Sequence, residues 1–451
     1  MKAYKQLESL IETQSHLEHC QAMLSWDEAV MMPQGGQAAR AQALTTLKAT
    51  LHQHKTNPQR ADLIADAQAD NSLNQWQQAN LALIQKDYIN ATLIPADLVE
   101  AQAYAAIVSE QQWRTLRAEN DWATFMPYLS QTFKLTKEIA DIRAQHWQQD
   151  PYDFLLDQFS PGFNQAIIDP LFTTLKNTLP DLLQRITDKQ STPTPLQGPF
   201  PIANQQALNT AAMQLLQFDF DHGRLDTTYH PFCGGVADDV RITTRYDEND
   251  FLSSLMGVCH ETGHGRYDQQ LPRQWRHQRV GKAYGMAVHE SQSLLVEMQV
   301  CRSLAFFQAL LPHIQQQFGH QPALTAENLY QLCTTVQPSL IRVDADEVTY
   351  PLHIILRYTL EQQLMNGSLE VKHLAEAWNS LMLEHLNIST LGNDQNGVMQ
   401  DVHWPSGALF QSVSWSLCLQ LQLARWPFKM VFSRSLPPVL RPPEADIPAT
   451  C

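Results

Sequence analysis

A mainly α-helical fold with one small β element is what this chain predicts, and three observations carry that reading. Apolar residues recur at helical spacing through most of the sequence. Glycine is scarce, 17 of 451 residues, well below the ordinary share of about 7%, so tight turns are few. Only one stretch, Val240-Arg241-Ile242-Thr243-Thr244-Arg245-Tyr246, alternates and is β-branched in the manner of a strand.

Taken in order, Leu7, Leu10, Ile11 and Leu17 place a first amphipathic helix near the start. Ile168, Leu171, Phe172, Leu175, Leu179, Leu182, Leu183 and Ile186 repeat that period. Asp169-Pro170 reads as the start of this helix, a capping carboxylate followed by a residue that needs no N–H. Pro180 removes a backbone donor inside the run and predicts a kink or a split. Residues 188–203 are rich in Pro and polar side chains and read as a loop joining two helical lobes, about 1–190 and about 204–410, of a single domain 1–410. The strand signal predicts a small hairpin or sheet with the segment 218–230. Asn249 or Asp250 can cap a helix whose apolar face is Phe251, Leu252, Leu255, Met256 and Cys259. Ala283 to about Phe307 reads as one long helix. No internal repeat is present.

Composition narrows the function. Lys and Arg total 31 against 46 acids, a formal charge of −15, which repels phosphate backbones and argues against a nucleic-acid partner. No run approaches 18 apolar residues, so no membrane span is expected. Seven cysteines, scattered and odd in number, read as free thiols in a reducing compartment. The first residues lead into an amphipathic run rather than an apolar leader. Cytoplasm is the expected address.

The sharpest local feature is His260-Glu261-Thr262-Gly263-His264. On a helix, positions i and i+4 share a face, so two imidazoles can bind one Zn²⁺ while the intervening Glu reaches the attacking water as general base. Gly257, Gly263 and Gly265 each cost about 1 kcal/mol of helix stability against Ala, which points to close packing or to room for metal and substrate. A third ligand is expected from the next helix. Glu290 lies 26 residues after His264 on an otherwise apolar face, where a carboxylate is costly to bury unless paired or on a metal. Alone it would read as an ordinary solvated Glu; Glu297 is the runner-up.

Six motifs in order extend the picture: Leu24-Ser25-Trp26-Asp27 with Met32-Pro33 and Gly35-Gly36; His230-Pro231-Phe232 with Asp239-Val240-Arg241-Ile242-Thr243; the HETGH segment; His289-Glu290-Ser291-Gln292; Ile341-Arg342-Val343-Asp344-Ala345-Asp346; and Gly397-Val398-Met399-Gln400-Asp401-Val402-His403-Trp404. Together they resemble the carboxypeptidase Taq family over about nine tenths of the chain. The resemblance implies a helical zinc-peptidase body with a deep central groove and a small β element near the active site. It implies a homodimer that removes C-terminal residues from peptides with broad specificity, sparing a C-terminal Pro. Zn²⁺ is the implied metal, one per chain, with Co²⁺ able to substitute. His260, His264 and Glu290 are the implied ligands and Glu261 the base.

An exopeptidase needs a cation for the free carboxylate, and the planar fork of Arg suits it. Arg342 is the first candidate and Arg241 the second. His230, Asp346, Gln400, Asp401 and His403 join them as substrate-side residues. Each also has a plain structural reading: a turn, a surface charge, an Arg342–Asp346 helix pair, or local hydrogen bonding by Asp401 and His403. An inactive zinc-binding relative, or an endo-oligopeptidase or dipeptidase, are the alternative functions.

After Phe410 the resemblance stops. A Gly-Tyr-Phe-Pro-x-Tyr-like run and further helices are implied there, but the text reads Gln411-Ser412-Val413-Ser414-Trp415. Residues 411–451 carry a net charge of +2 and six of the 25 Pro. A divergent natural tail and a change of reading frame both explain this, and the expectation is that 411–451 does not complete the groove and that activity is much reduced.

Overall fold

The computed structural model describes residues 1–228 and 231–409. It is about 70% helical, with one small sheet. The helices are α1 (Lys2–Val30), α2 (Gln37–Lys55), α3 (Gln59–Gln68), α4 (Gln75–Thr92), α5 (Ala96–Ala118), α6 (Trp122–Trp147), α7 (Pro151–Phe159), α8 (Gln165–Thr187) and α9 (Ile202–Leu215). After the sheet come α10 (Phe251–Gln269), α11 (Gly285–Leu294), α12 (Leu304–Phe318), α13 (Ala326–Thr334), α14 (Tyr350–Asn366) and α15 (Leu374–Leu386).

Among the described residues, three of the apolar clusters carry most of the helix packing. The largest packs Phe125, Phe154, Phe172, Leu356, Trp378 and Trp404, from α6, α7, α8, α14, α15 and the segment after α15. A second packs α9, α10, α12 and α13 through Leu208, Phe251, Leu255, Phe306 and Leu329, with Phe200 just before α9. A smaller one joins α1, α3 and α4 through Tyr4, Leu7, Ile64 and Ile84.

The sheet comprises β1 (Gly223–Thr227), β2 (Cys233–Val236) and β3 (Asp239–Thr244), in the order β1-β3-β2. The hairpin partner of β3 is β2, antiparallel, with Cys233 opposite Ile242. The segment before residue 230 joins the other edge in parallel, Gly223 opposite Val240, so it forms no hairpin with β3. Val240 and Ile242 are fully buried with Met213, Phe218 and Val258, which seats the sheet against α10.

Two helix expectations need correction. α8 begins at Gln165, where the Asn164 side chain accepts from the Ile167 N–H at 3.0 Å. Asp169 is not its cap; it accepts the Tyr358 hydroxyl at 2.6 Å. Pro170 and Pro180 both lie inside the helix, which stays continuous. Burial of Ile168, Phe172, Leu175 and Leu179 along one face outweighs the two lost backbone bonds. The single helix expected over 283–307 is instead three pieces: α11, a π-helical turn Leu295–Cys301, and α12 after a break at Arg302-Ser303. Ser303 caps the restart by accepting from the Phe306 N–H.

Candidate metal centre and active site

Asp250 fixes the start of α10, accepting from the Leu252 and Ser253 N–H groups at 3.0 and 3.2 Å. Phe251, Leu255, Val258 and Cys259 bury one face of the helix completely. Another stretch of α10 meets α11 at Gly263, where a β-carbon would stand 2.5 Å from Ser293 Cα and 2.7 Å from the Gln292 carbonyl. That approach is open only to glycine. Gly257, by contrast, has nothing within 4 Å of such a carbon, so close packing does not explain it.

The approach brings three side chains together. Nε2 of His260 lies 3.5 Å from one Glu290 oxygen, and Nε2 of His264 lies 3.3 Å from the other. One donor atom from each residue falls within 4.8 Å of the other two. An ion held tetrahedrally at 2.0–2.1 Å sets its donors about 3.3 Å apart, so the trio fits a single ion. Burial opposes ionisation of Glu290, but His260 and His264 outweigh it and bring the carboxyl down to about 2. Burial likewise opposes charge on His260, yet Glu290, the hydrogen bond to Glu297 and Glu261 raise it to about 10. The pocket is thus built to pair negative carboxylate with positive charge. Glu261 is buried outside the trio, and burial raises its carboxyl against the opposing pull of His260 and His264.

The two imidazoles are held differently. Nδ1 of His260 lies 2.9 Å from Glu297 Oε2. The other Glu297 oxygen accepts from Arg302 Nη2 at 2.6 Å. The π turn explains this pairing: the Arg302 N–H bonds the Glu297 carbonyl, five residues back, at 3.0 Å, which sets the guanidinium over its carboxylate. His264 instead stacks on His289 at 4.4 Å, and His289 Nε2 reaches Asp268 at 3.2 Å.

The remaining sequence candidates divide. Arg342 is buried in a single 3₁₀ turn, donates to the Tyr350 hydroxyl at 2.9 Å, and makes no helix pair with Asp346. Burial pushes Tyr350 up to about 12 against the opposing pull of Arg342, and the Glu290 charge adds to the rise. His403 also feels Glu290; burial, with Arg357 and Arg342, pulls it down to about 4. Asp346 accepts from the Val348, Thr349 and Gln337 N–H groups, and Gln400 brackets residues 340–342 through the Leu340 carbonyl and the Arg342 N–H. Asp401 pairs with buried Arg357 at 2.5 Å and accepts from the His403 and Trp404 N–H groups. Arg241 is held by Asp239 at 2.6 and 2.8 Å and lies over Trp26. His230 falls outside the described residues. Sequence reasoning missed Arg302, Tyr350, Arg357 and Glu361; only Arg357 and Glu361, one helical turn apart and paired at 3.1 Å, carry a local spacing signal that could have found them.

Two imidazoles one helical turn apart, a buried carboxylate between them and a third donor from the next helix define a helical metallopeptidase of the HExxH kind. The chain belongs to the carboxypeptidase Taq (M32) metallopeptidase family, whose model matches residues 6–416. It is 36% identical over 426 residues to thermostable carboxypeptidase 1 of Thermus thermophilus, covering 90% of this chain and 82% of that one. Among solved structures, Trypanosoma cruzi metallocarboxypeptidase 1 superposes with a TM-score of 0.91 at 39% identity, covering 94% of this chain and 86% of the other. The M32 carboxypeptidase of Deinococcus radiodurans R1 gives 0.90 at 30% identity, over 97% and 88%. The protein is accordingly an enzyme, a metallocarboxypeptidase acting on peptides. Among the described residues no single helix is long and apolar enough to cross a membrane.

Proposed function

We propose that the chain is a zinc carboxypeptidase in which His260, His264 and Glu290 hold the ion, Glu261 is the general base and Arg342 receives the substrate's terminal carboxylate. The observation that carries this reading is the convergence of two imidazole nitrogens on opposite oxygens of one carboxylate, at 3.5 and 3.3 Å. Two nitrogens and one carboxylate suit Zn²⁺, and Co²⁺ shares that preference. When bound, the ion polarises the scissile carbonyl and acidifies water. Glu261, buried and outside the donor trio, takes a proton from the attacking water and returns it to the leaving amine. Glu297 and Arg302 fix the His260 ring. His403, held neutral by burial, can donate to the carbonyl oxygen as negative charge develops there.

Arg342 is preferred to Arg241 for the carboxylate because Asp239 already occupies the Arg241 fork. Asp346, Gln400 and Asp401 act on the substrate side by holding the loops that carry Arg342 and His403. Broad side-chain tolerance, a homodimer and a cytoplasmic setting complete the proposal; the five described cysteines, all free, support a reducing compartment.

The test is hydrolysis of an N-blocked dipeptide with a free or an amidated C-terminus. A carboxypeptidase cleaves only the first, and Arg342→Ala lowers its kcat/KM about 10–100-fold, the loss of a charge-assisted bond of about 1.5–3 kcal/mol. Equal cleavage of both peptides by the parent chain would establish an endopeptidase instead.

A further inference from the structure

A second cluster of metal-ligating side chains lies outside the catalytic site. Glu12 and His16 stand four residues apart on one exposed face of α1. His277 sits between the 3₁₀ turns Arg273–Trp275 and Arg279–Gly281, in the segment leading to α11. One donor atom from each residue lies within 4.8 Å of the others, and the two rings meet edge to face at 5.0 Å.

The backbone around His277 is pinned to α1 and α4 independently of these rings. Gln278 donates to the Glu8 carbonyl and accepts from Asn80, both at 3.0 Å. Lys282 pairs with Glu18, and Arg279 with Asp87. Glu12, His16 and His277 themselves are exposed and make no described hydrogen bond or ion pair, so their side chains are at liberty to turn toward an ion. Donors on a tetrahedral ion stand about 3.3 Å apart, which such rotations reach. Two imidazoles and one carboxylate select Zn²⁺, Co²⁺, Ni²⁺ or Cu²⁺ over Mg²⁺ or Ca²⁺.

We propose that Glu12, His16 and His277 form a surface site for a divalent transition-metal ion that staples α1 to the segment preceding α11. Solvent completes the coordination, and the ion ties together residues far apart in the chain. The proposal shares no ligand with the catalytic trio and stands whether or not the catalytic reading holds.

The test uses the full chain without an affinity tag, stripped by chelator and dialysed against micromolar Zn²⁺, with metal per chain measured directly. The parent chain binds two ions. His277→Ala and Glu12→Gln each bind one and keep the peptidase activity of the parent at one equivalent of metal. His264→Ala also binds one, at the surface site. Added Zn²⁺ beyond the first equivalent raises the Tm of the parent and not that of His277→Ala. A His277→Ala or Glu12→Gln variant that binds as many ions as the parent overturns the proposal, whatever the number held at the catalytic trio.

Discussion

At the scale of single residues, Glu297 is where the structure adds most to the reading of the site. By sequence it competes with Glu290 as third ligand, and its loss would be expected to matter much less. In the structure it holds the nitrogen of His260 that faces away from Glu290, and it is itself held by Arg302. A partner that orients a ligand in this way typically contributes 10–100-fold in metal affinity. Glu297→Ala is therefore expected to weaken metal binding by about that factor, with turnover recovering at saturating metal, because no ligand has been removed. Competition against a chelating dye measures it; affinity equal to that of the parent contradicts the orienting role. The HETGH pair was legible in the sequence because i and i+4 are neighbours on any helix. The role of Glu297 was not, because it depends on which face of one helix meets another and on a π turn that no spacing rule announces.

Elements decide the next level. The strand at 240–244, the cap at Asp250 and the helices around Leu7 and Leu175 were readable from period and capping chemistry. The break after Cys301 and the unbroken passage of α8 through two prolines were not, since tertiary packing settled both. The same holds for Asp401, whose motif points to substrate but whose carboxylate is spent on the core. Arg357 on α14 pairs with Asp401 and Glu361; Trp404 and Tyr152 donate to Glu361 at 2.8 and 3.1 Å, which ties α7, α14 and the segment after α15 into one buried network. Breaking a buried ion pair from one side costs about 3–5 kcal/mol, so Asp401→Asn is expected to be that much less stable in denaturant unfolding at pH 7. The sign of its pH dependence follows from the Asp401 carboxyl. Burial opposes its ionisation, but Arg357 outweighs burial and holds it well below the usual carboxylate range. Its contribution is complete above the unfolded value of about 3.9 and is lost as pH falls toward the folded one. The gap between parent and variant should therefore narrow in acid below about pH 4. A gap that is small at pH 7, or that widens in acid, contradicts the assignment.

For the whole molecule, the family was readable from six short motifs in order, and the model match over residues 6–416 agrees with them. What those motifs could not show is how the chain brings them together. Glu290 reaches α10 because Gly263 admits α11, and the segments that carry Arg342 and His403 are fixed by Gln400 and by the Asp401–Arg357 pair. Residues 411–451 lie outside the described residues, and the expectation that they leave the groove incomplete stands as a proposal from composition and from the implied tyrosine-bearing run. One oxyanion donor is worth about 10²–10³-fold in kcat. Exchanging everything after Phe410 for the corresponding segment of the Thermus thermophilus relative is thus expected to raise kcat by about that factor; an unchanged rate contradicts it.

The chemistry proposed for this site requires that His260, His264 and Glu290 hold one ion and that Glu261 work beside it without binding it. Metal content and release of the C-terminal residue from a blocked dipeptide, measured on the same samples in a His277→Ala background, test it most directly. One ion and turnover are expected in the parent, one ion with turnover lower by about 10²–10⁴-fold in Glu261→Gln, and no tightly held ion in Glu290→Ala. A Glu290→Ala chain that retains its ion, or a Glu261→Gln chain that turns over at the parent's rate, would contradict it.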